Sequence, residues 1–78
     1  MMIRTKQDIH AFEKAIDRCN NSVWLVSPEG EQYDLKSDME RYLGIARLIQ
    51  DQKNEMELFA ATYADEMIMM DFYRRHCA

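Results

Sequence analysis

The chain of 78 residues is short of cysteine, glycine and proline, carries no excess of basic charge, and has no long apolar run. Each shortage excludes something. Two cysteines, Cys19 and Cys77, are too few for the disulfide framework of a small secreted domain, and no signal-peptide pattern precedes the first helix. A reducing, cytoplasmic setting is expected on both counts. A membrane-spanning helix needs about 20 consecutive apolar residues, and no run approaches that length. Ten Lys and Arg against fourteen Asp and Glu give a formal charge of −4, whereas nucleic-acid binding needs clustered basic groups. The basic pair Arg74-Arg75 lies near a helix C-terminus, where the helix dipole favours positive charge. The chain shows no paired carboxylates, no glycine-rich phosphate loop and no catalytic triad. No enzymatic activity and no cofactor is expected.

What the chain does have is apolar content, 47% of its residues, enough for a folded core. Seven methionines supply part of it, and methionine packs into irregular gaps. One small domain follows, burying roughly 60% of its unfolded surface, with a stability on the order of 5 kcal/mol.

Thr5, with Asp8 three residues on, opens a helix whose apolar stripe is Ile9, Phe12, Ile16 and Cys19. Asn20-Asn21 is expected to end it, since asparagine tolerates a left-handed turn. Residues 22–27, rich in β-branched and aromatic side chains, read as a strand. Pro28-Glu29-Gly30 is a turn, and residues 32–36 return as the second arm of a hairpin, with Tyr33 and Leu35 on one face. Ser37-Asp38-Met39-Glu40 reads as a capping box opening a second helix, with Met39, Tyr42, Leu43, Ala46 and Ile49 along one side. Gly44 lies inside that helix, where it costs up to ~1 kcal/mol relative to alanine; either the helix breaks there or a neighbour approaches closely. Residues 50–54 read as a loop and residues 55–61 as a strand, with Met56, Leu58 and Ala60 inward. Thr62 caps a last helix, with Asp65 at the box position and Ala64, Met67, Ile68, Phe72 and Arg75 on its expected buried side.

Three local stretches carry a family resemblance: Asp34-Leu35-Lys36-Ser37, Leu43-Gly44-Ile45-Ala46 and Ala64-Asp65-Glu66. With the order helix, strand, strand, helix, strand, helix, they make the chain resemble HPr, the histidine-containing phosphocarrier family of the bacterial sugar phosphotransferase system. The resemblance implies an α+β open-faced sandwich, three helices on one face of a three- to four-stranded antiparallel sheet, in a single domain spanning residues 1–78. It also implies that Ser37 matches a serine phosphorylated by a regulatory kinase. The carrier chemistry is not implied. Thr5 stands where the family's phosphoacceptor histidine belongs, Gln7 replaces an arginine and Asp8 a proline. A threonine hydroxyl cannot accept and release phosphate reversibly as an imidazole does. The family's first strand would precede Thr5, where only residues 1–4 stand. Its loss would leave open the edge of the strand over residues 56–61, inviting a partner strand or a second copy along Leu58, Ala60 and Thr62.

The resulting expectation is a non-catalytic, cytoplasmic, HPr-like interaction or regulatory protein. The alternatives are a protein phosphorylated at Ser37, or less favourably at His10, and a structural homo-oligomer built through the open edge. His10 projects beside Glu13, Lys14 and Asp17, on the polar face of the first helix, and His76 lies in the last turn of the last helix. No Cys or His pair has ligand spacing, so no metal is expected. Cys19 reads as a small buried hydrophobe. Trp24 is expected on the open side of the sheet as a partner anchor, unless a long side chain such as Lys36 covers it. Met39 and Tyr42 fit the second helix's core stripe, and by the resemblance they also lie where HPr meets its partners.

Overall fold

The computed structural model describes residue 3, residues 5–51 and residues 53–76. Among the described residues three helices and three strands follow in the order α1 (Lys6–Arg18), β1 (Val23–Val26), β2 (Gln32–Asp34), α2 (Asp38–Ile49), β3 (Glu57–Ala60) and α3 (Tyr63–His76). The sheet is antiparallel throughout, in the order β2-β1-β3. The fold is therefore α+β. Val23, Leu25 and Leu35 point to the helical side and share one core with Phe12, Ile16, Ile45, Leu48, Met69 and Phe72. Ile3, in the stretch where the family's first strand is expected to be reduced or lost, is buried in that core and in no strand; residues 1, 2 and 4 lie outside the described residues.

The α1 stripe is as its periodicity implies: Phe12, Ile16 and Cys19 are buried, with Ala15 beside them and Ile9 half-buried. Thr5 is the N-cap, its Oγ1 accepting the Asp8 N–H at 3.0 Å. The end of α1 differs from expectation. Neither asparagine is left-handed; among the described non-glycine residues only Asn54 has a positive φ, at 57°. Cys19 leaves the helix extended, and two distant side chains secure the exit. Asp65 accepts the N–H groups of Asn20 and Asn21 at 3.1 and 2.8 Å. The Lys36 ammonium donates to the carbonyls of Ile16 and Cys19 at 2.9 and 2.6 Å. Tertiary bonds replace the local C-cap here.

The hairpin turns through Pro28-Glu29-Gly30, with Gly30 at φ 93°, a region glycine enters without steric cost. β2 stops at Asp34, whose Oδ1 accepts the Lys36 N–H at 2.9 Å and bends the chain toward α2. Ser37 is the N-cap of α2 in backbone geometry, but its side chain makes no capping bond. The capping box does not form: Glu40 reaches past Ser37 and accepts the Asp34 N–H at 3.2 Å.

The buried face of α2 is also not the expected one. Gly44, Ile45 and Leu48 are buried, while Met39, Tyr42, Leu43, Ala46 and Ile49 are exposed. Two stripes of helical period compete on this helix, and Gly44 decides between them. A Cβ at Gly44 would stand 3.0 Å from Tyr33 Cβ and 3.2 Å from a Leu35 methyl, so lack of a side chain lets α2 settle onto β2. The close-approach reading of Gly44 is the correct one.

In α3, Thr62 Oγ1 accepts the Asp65 N–H at 3.2 Å, as its cap position implies. The buried side is Asp65, Met69 and Phe72 with Ile68 half-buried; Ala64, Met67 and Arg75 are exposed, contrary to expectation. Burial of the Asp65 carboxylate against α1 rotates the stripe. Phe72 then meets Phe12 with ring centroids 5.3 Å apart, and His76 stacks on Phe72 at 5.1 Å.

Candidate functional site

β1 is central, so β3 lies at an edge, paired among the described residues with β1 alone. Which of its backbone groups face outward follows from the ladder. Ala61 donates its N–H to the Ser22 carbonyl at 3.0 Å, and alternate residues of an antiparallel strand turn their backbone groups to the same side. Phe59 and Glu57, in step with Ala61, therefore turn theirs to β1. Leu58 and Ala60 turn theirs outward. The next outward N–H, that of Met56, is accepted by Asp51 Oδ2 at 2.9 Å, and Asp51 Oδ1 accepts the Glu55 N–H at 3.0 Å. Burial pushes the Asp51 carboxyl up, but these two N–H groups and the nearby Arg47 outweigh it and hold it below its ordinary value. The carboxylate closes one end of the free edge, and Thr62, committed to capping α3, closes the other.

Side chains alternate as the ladder requires. Leu58 and Ala60 face the helices and, with Met56, Glu66, Met69, Met70 and Tyr73, line a groove of about 250 Å³ between β3 and α3. Met70 and Tyr73 are nearly half exposed. On the other face Trp24 stands opposite Phe59 and Val26 opposite Glu57. Trp24 and Val26 are half-buried and Phe59 is exposed. Lys36 does not cover Trp24, since its ammonium is held at the end of α1.

The expected partner-binding residues therefore divide between surfaces. Trp24, Leu58 and Ala60 lie at or beside the β3 edge, and Thr62 bounds it. Met39 and Tyr42, both about three-quarters exposed, lie on α2, which packs over β2 on the far side of the sheet. A groove of about 540 Å³ between α1 and α2 is lined by Ile9, Tyr42, Ile45, Ala46 and Ile49 and rimmed by Glu13, Asp38 and Arg41. Arg41 is committed, to Asp17 at 2.9 Å and to the Leu35 carbonyl at 2.7 Å. Phe59, Met70 and Tyr73 are additional site residues. Phe59 is legible as the outward member of an alternating strand, whereas Met70 and Tyr73 join the site only through the packing of α3 beside β3.

The positions linked to phosphate are spread out. The Thr5 hydroxyl is occupied in capping α1, His10 is exposed on that helix, and the half-buried Ser37 hydroxyl carries no hydrogen bond. His76 Nδ1 lies 3.7 Å from an Asp8 carboxylate oxygen, joining the end of α3 to the start of α1. The Cys19 thiol is buried, and burial, followed by the Asp65 charge, pushes it up, away from the reactive thiolate. Among the described residues no three His, Cys, Asp or Glu side chains group to hold a metal ion, and no described helix is long and apolar enough to cross a membrane.

No family model, no curated protein and no solved structure matches the chain.

Proposed function

We propose that this chain is a non-catalytic interaction module that binds a partner segment as an added strand on the outer edge of β3. The observation that carries the reading is the pair Leu58 and Ala60: outward backbone groups directly above an apolar groove. Main-chain bonds to an exposed edge supply affinity, and alternate side chains entering a pocket supply selectivity. An incoming strand would set every second side chain into the groove beside Met70 and Tyr73, and the others beside Phe59.

The frame is read as HPr-like with its first strand reduced. The element order and the position of β3 at the edge support this. The carrier activity is read as absent because Thr5 spends its hydroxyl on the helix cap. Sparse cysteine supports a cytoplasmic setting. A second reading, regulation by phosphorylation of Ser37, is favoured by one observation, its uncommitted hydroxyl at the N-terminus of α2. Asp38 and Glu40 in the first turn oppose it.

The test is a titration of the isotope-labelled chain with the peptide Thr-Val-Thr-Val-Thr-Val-Thr, followed by amide NMR. Shifts over residues 57–61 that vanish in Ala60→Pro are expected, because proline there removes an outward donor and leaves the β1 ladder intact. Shifts confined to the α1–α2 groove, or none, contradict the reading. Incubation with HPr kinase and ATP, read by intact mass against Ser37→Ala, tests the second reading.

A further inference from the structure

The edge has a self-complementary register. Resting on the reading above, we propose that the strand docked on β3 is β3 of a second copy of this chain, paired antiparallel about a twofold axis at Phe59. In such a pair the numbers of opposite residues have a constant sum, so the position of the axis fixes every contact.

With the axis at Phe59, Leu58 faces Ala60 of the second copy and Ala60 faces Leu58, so both outward residues of each chain join hydrogen-bonded pairs. Phe59 meets its own copy in the closer, non-hydrogen-bonded kind of pair, where aromatic partners are favourable. The neighbouring registers fail. An axis at Leu58 would match Ala60 with Met56, whose N–H Asp51 already holds. An axis at Glu57 sets two carboxylates opposite each other. An axis at Ala60 needs Thr62, where the chain already bends to cap α3.

Charge and shape agree with the Phe59 axis. The two α3 helices, each walling its own groove, come side by side and antiparallel. The first turn of α3 exposes Glu66 and its last turn exposes Arg74 and Arg75, so each acidic end meets a basic end. Met70 and Tyr73, exposed in one copy, meet the same pair in the other and close the groove. On the opposite face Trp24 and Phe59 of the two copies form one row of four aromatics across a continuous six-stranded sheet.

The test combines sedimentation velocity on the whole chain, from low micromolar to millimolar concentration, with cysteine cross-linking in a Cys77→Ser background. The expected mass rises twofold from 9.3 kDa. Phe59→Cys should oxidise to a disulfide-linked dimer, because a non-hydrogen-bonded pair sets the two Cα atoms about 4.5 Å apart. Glu57→Cys should not, because its own copy lies four residues away along the strand, roughly 13 Å. A mass of one chain at every concentration overturns the proposal, as does a dimer that Glu57→Cys links and Phe59→Cys does not. If the chain stays monomeric while the threonine–valine peptide still shifts residues 57–61, the second copy is wrong and the docking edge stands. If the peptide also fails, both fall.

Discussion

Trp24 and Phe59 stand opposite each other on β1 and β3, on the face of the sheet turned away from the core that holds Val23 and Leu25. Trp24 is the only tryptophan, so its emission reports on what approaches this edge. In the wild type its fluorescence should shift to shorter wavelength as concentration rises and a second Phe59 arrives. Phe59→Lys would place two ammonium groups opposite each other and should hold the chain monomeric, with emission independent of concentration. Because Phe59 is 48% exposed, the substitution should change monomer stability by no more than about 1 kcal/mol.

The two threonine and serine N-caps should respond differently to truncation. Thr5→Ala removes a formed side-chain bond and should cost about 1 kcal/mol in urea denaturation. Ser37→Ala removes a hydroxyl that bonds nothing, and should change stability by less than about 0.5 kcal/mol. A large loss in Ser37→Ala would mean that the capping box forms after all.

Gly44→Ala sets helix propensity against packing. Alanine improves α2 by ~1 kcal/mol, but its methyl would stand 3.0 Å from Tyr33 Cβ, an atom fixed to the β2 backbone. Overpacking of this kind costs about 1–3 kcal/mol. The net effect on the melting temperature should be negative. A rise would show that α2 can lift away from the sheet.

Acid should unfold the chain through Asp65 and Asp51. Burial pushes the Asp65 carboxyl up, but the N–H groups of Asn20 and Asn21 and the side chains of Thr62 and Asn21 outweigh it and hold it below its ordinary value. A carboxyl lower in the folded than in the unfolded chain binds fewer protons when folded. Its contribution is therefore complete above the unfolded value, about 3.9, and is lost as the pH falls through the lower folded value. Urea midpoints should be level near neutral pH and fall below about pH 4. Asp65→Asn should be less stable at neutral pH and show a shallower acid limb.

Much of this architecture is legible in the sequence because local chemistry and tertiary packing agree. The α1 stripe from Ile9 to Cys19, the turn at Pro28-Glu29-Gly30 and the inward set Met56, Leu58 and Ala60 each have a single consistent period. The misreadings arise where two patterns compete or a distant group intervenes. On α2 both Met39-Tyr42-Leu43-Ala46 and Gly44-Ile45-Leu48 have helical spacing, and only the fit of Gly44 onto Tyr33 selects the second. In α3 an acidic residue lies on the buried side because it binds amides more than forty residues away. That partner leaves no local trace. The edge site was half legible: Leu58 and Ala60 follow from alternation, whereas Met70 and Tyr73 join them only once α3 is seen walling the groove.

The most direct measurement is residue-resolved amide hydrogen exchange over residues 57–61 as a function of chain concentration. Phe59, bonded toward β1, should exchange slowly throughout. Leu58 and Ala60 should exchange fast in dilute solution and become protected as concentration rises. Protection of Leu58 and Ala60 already at the lowest concentration would show that the edge is covered within a single chain, and would contradict the account.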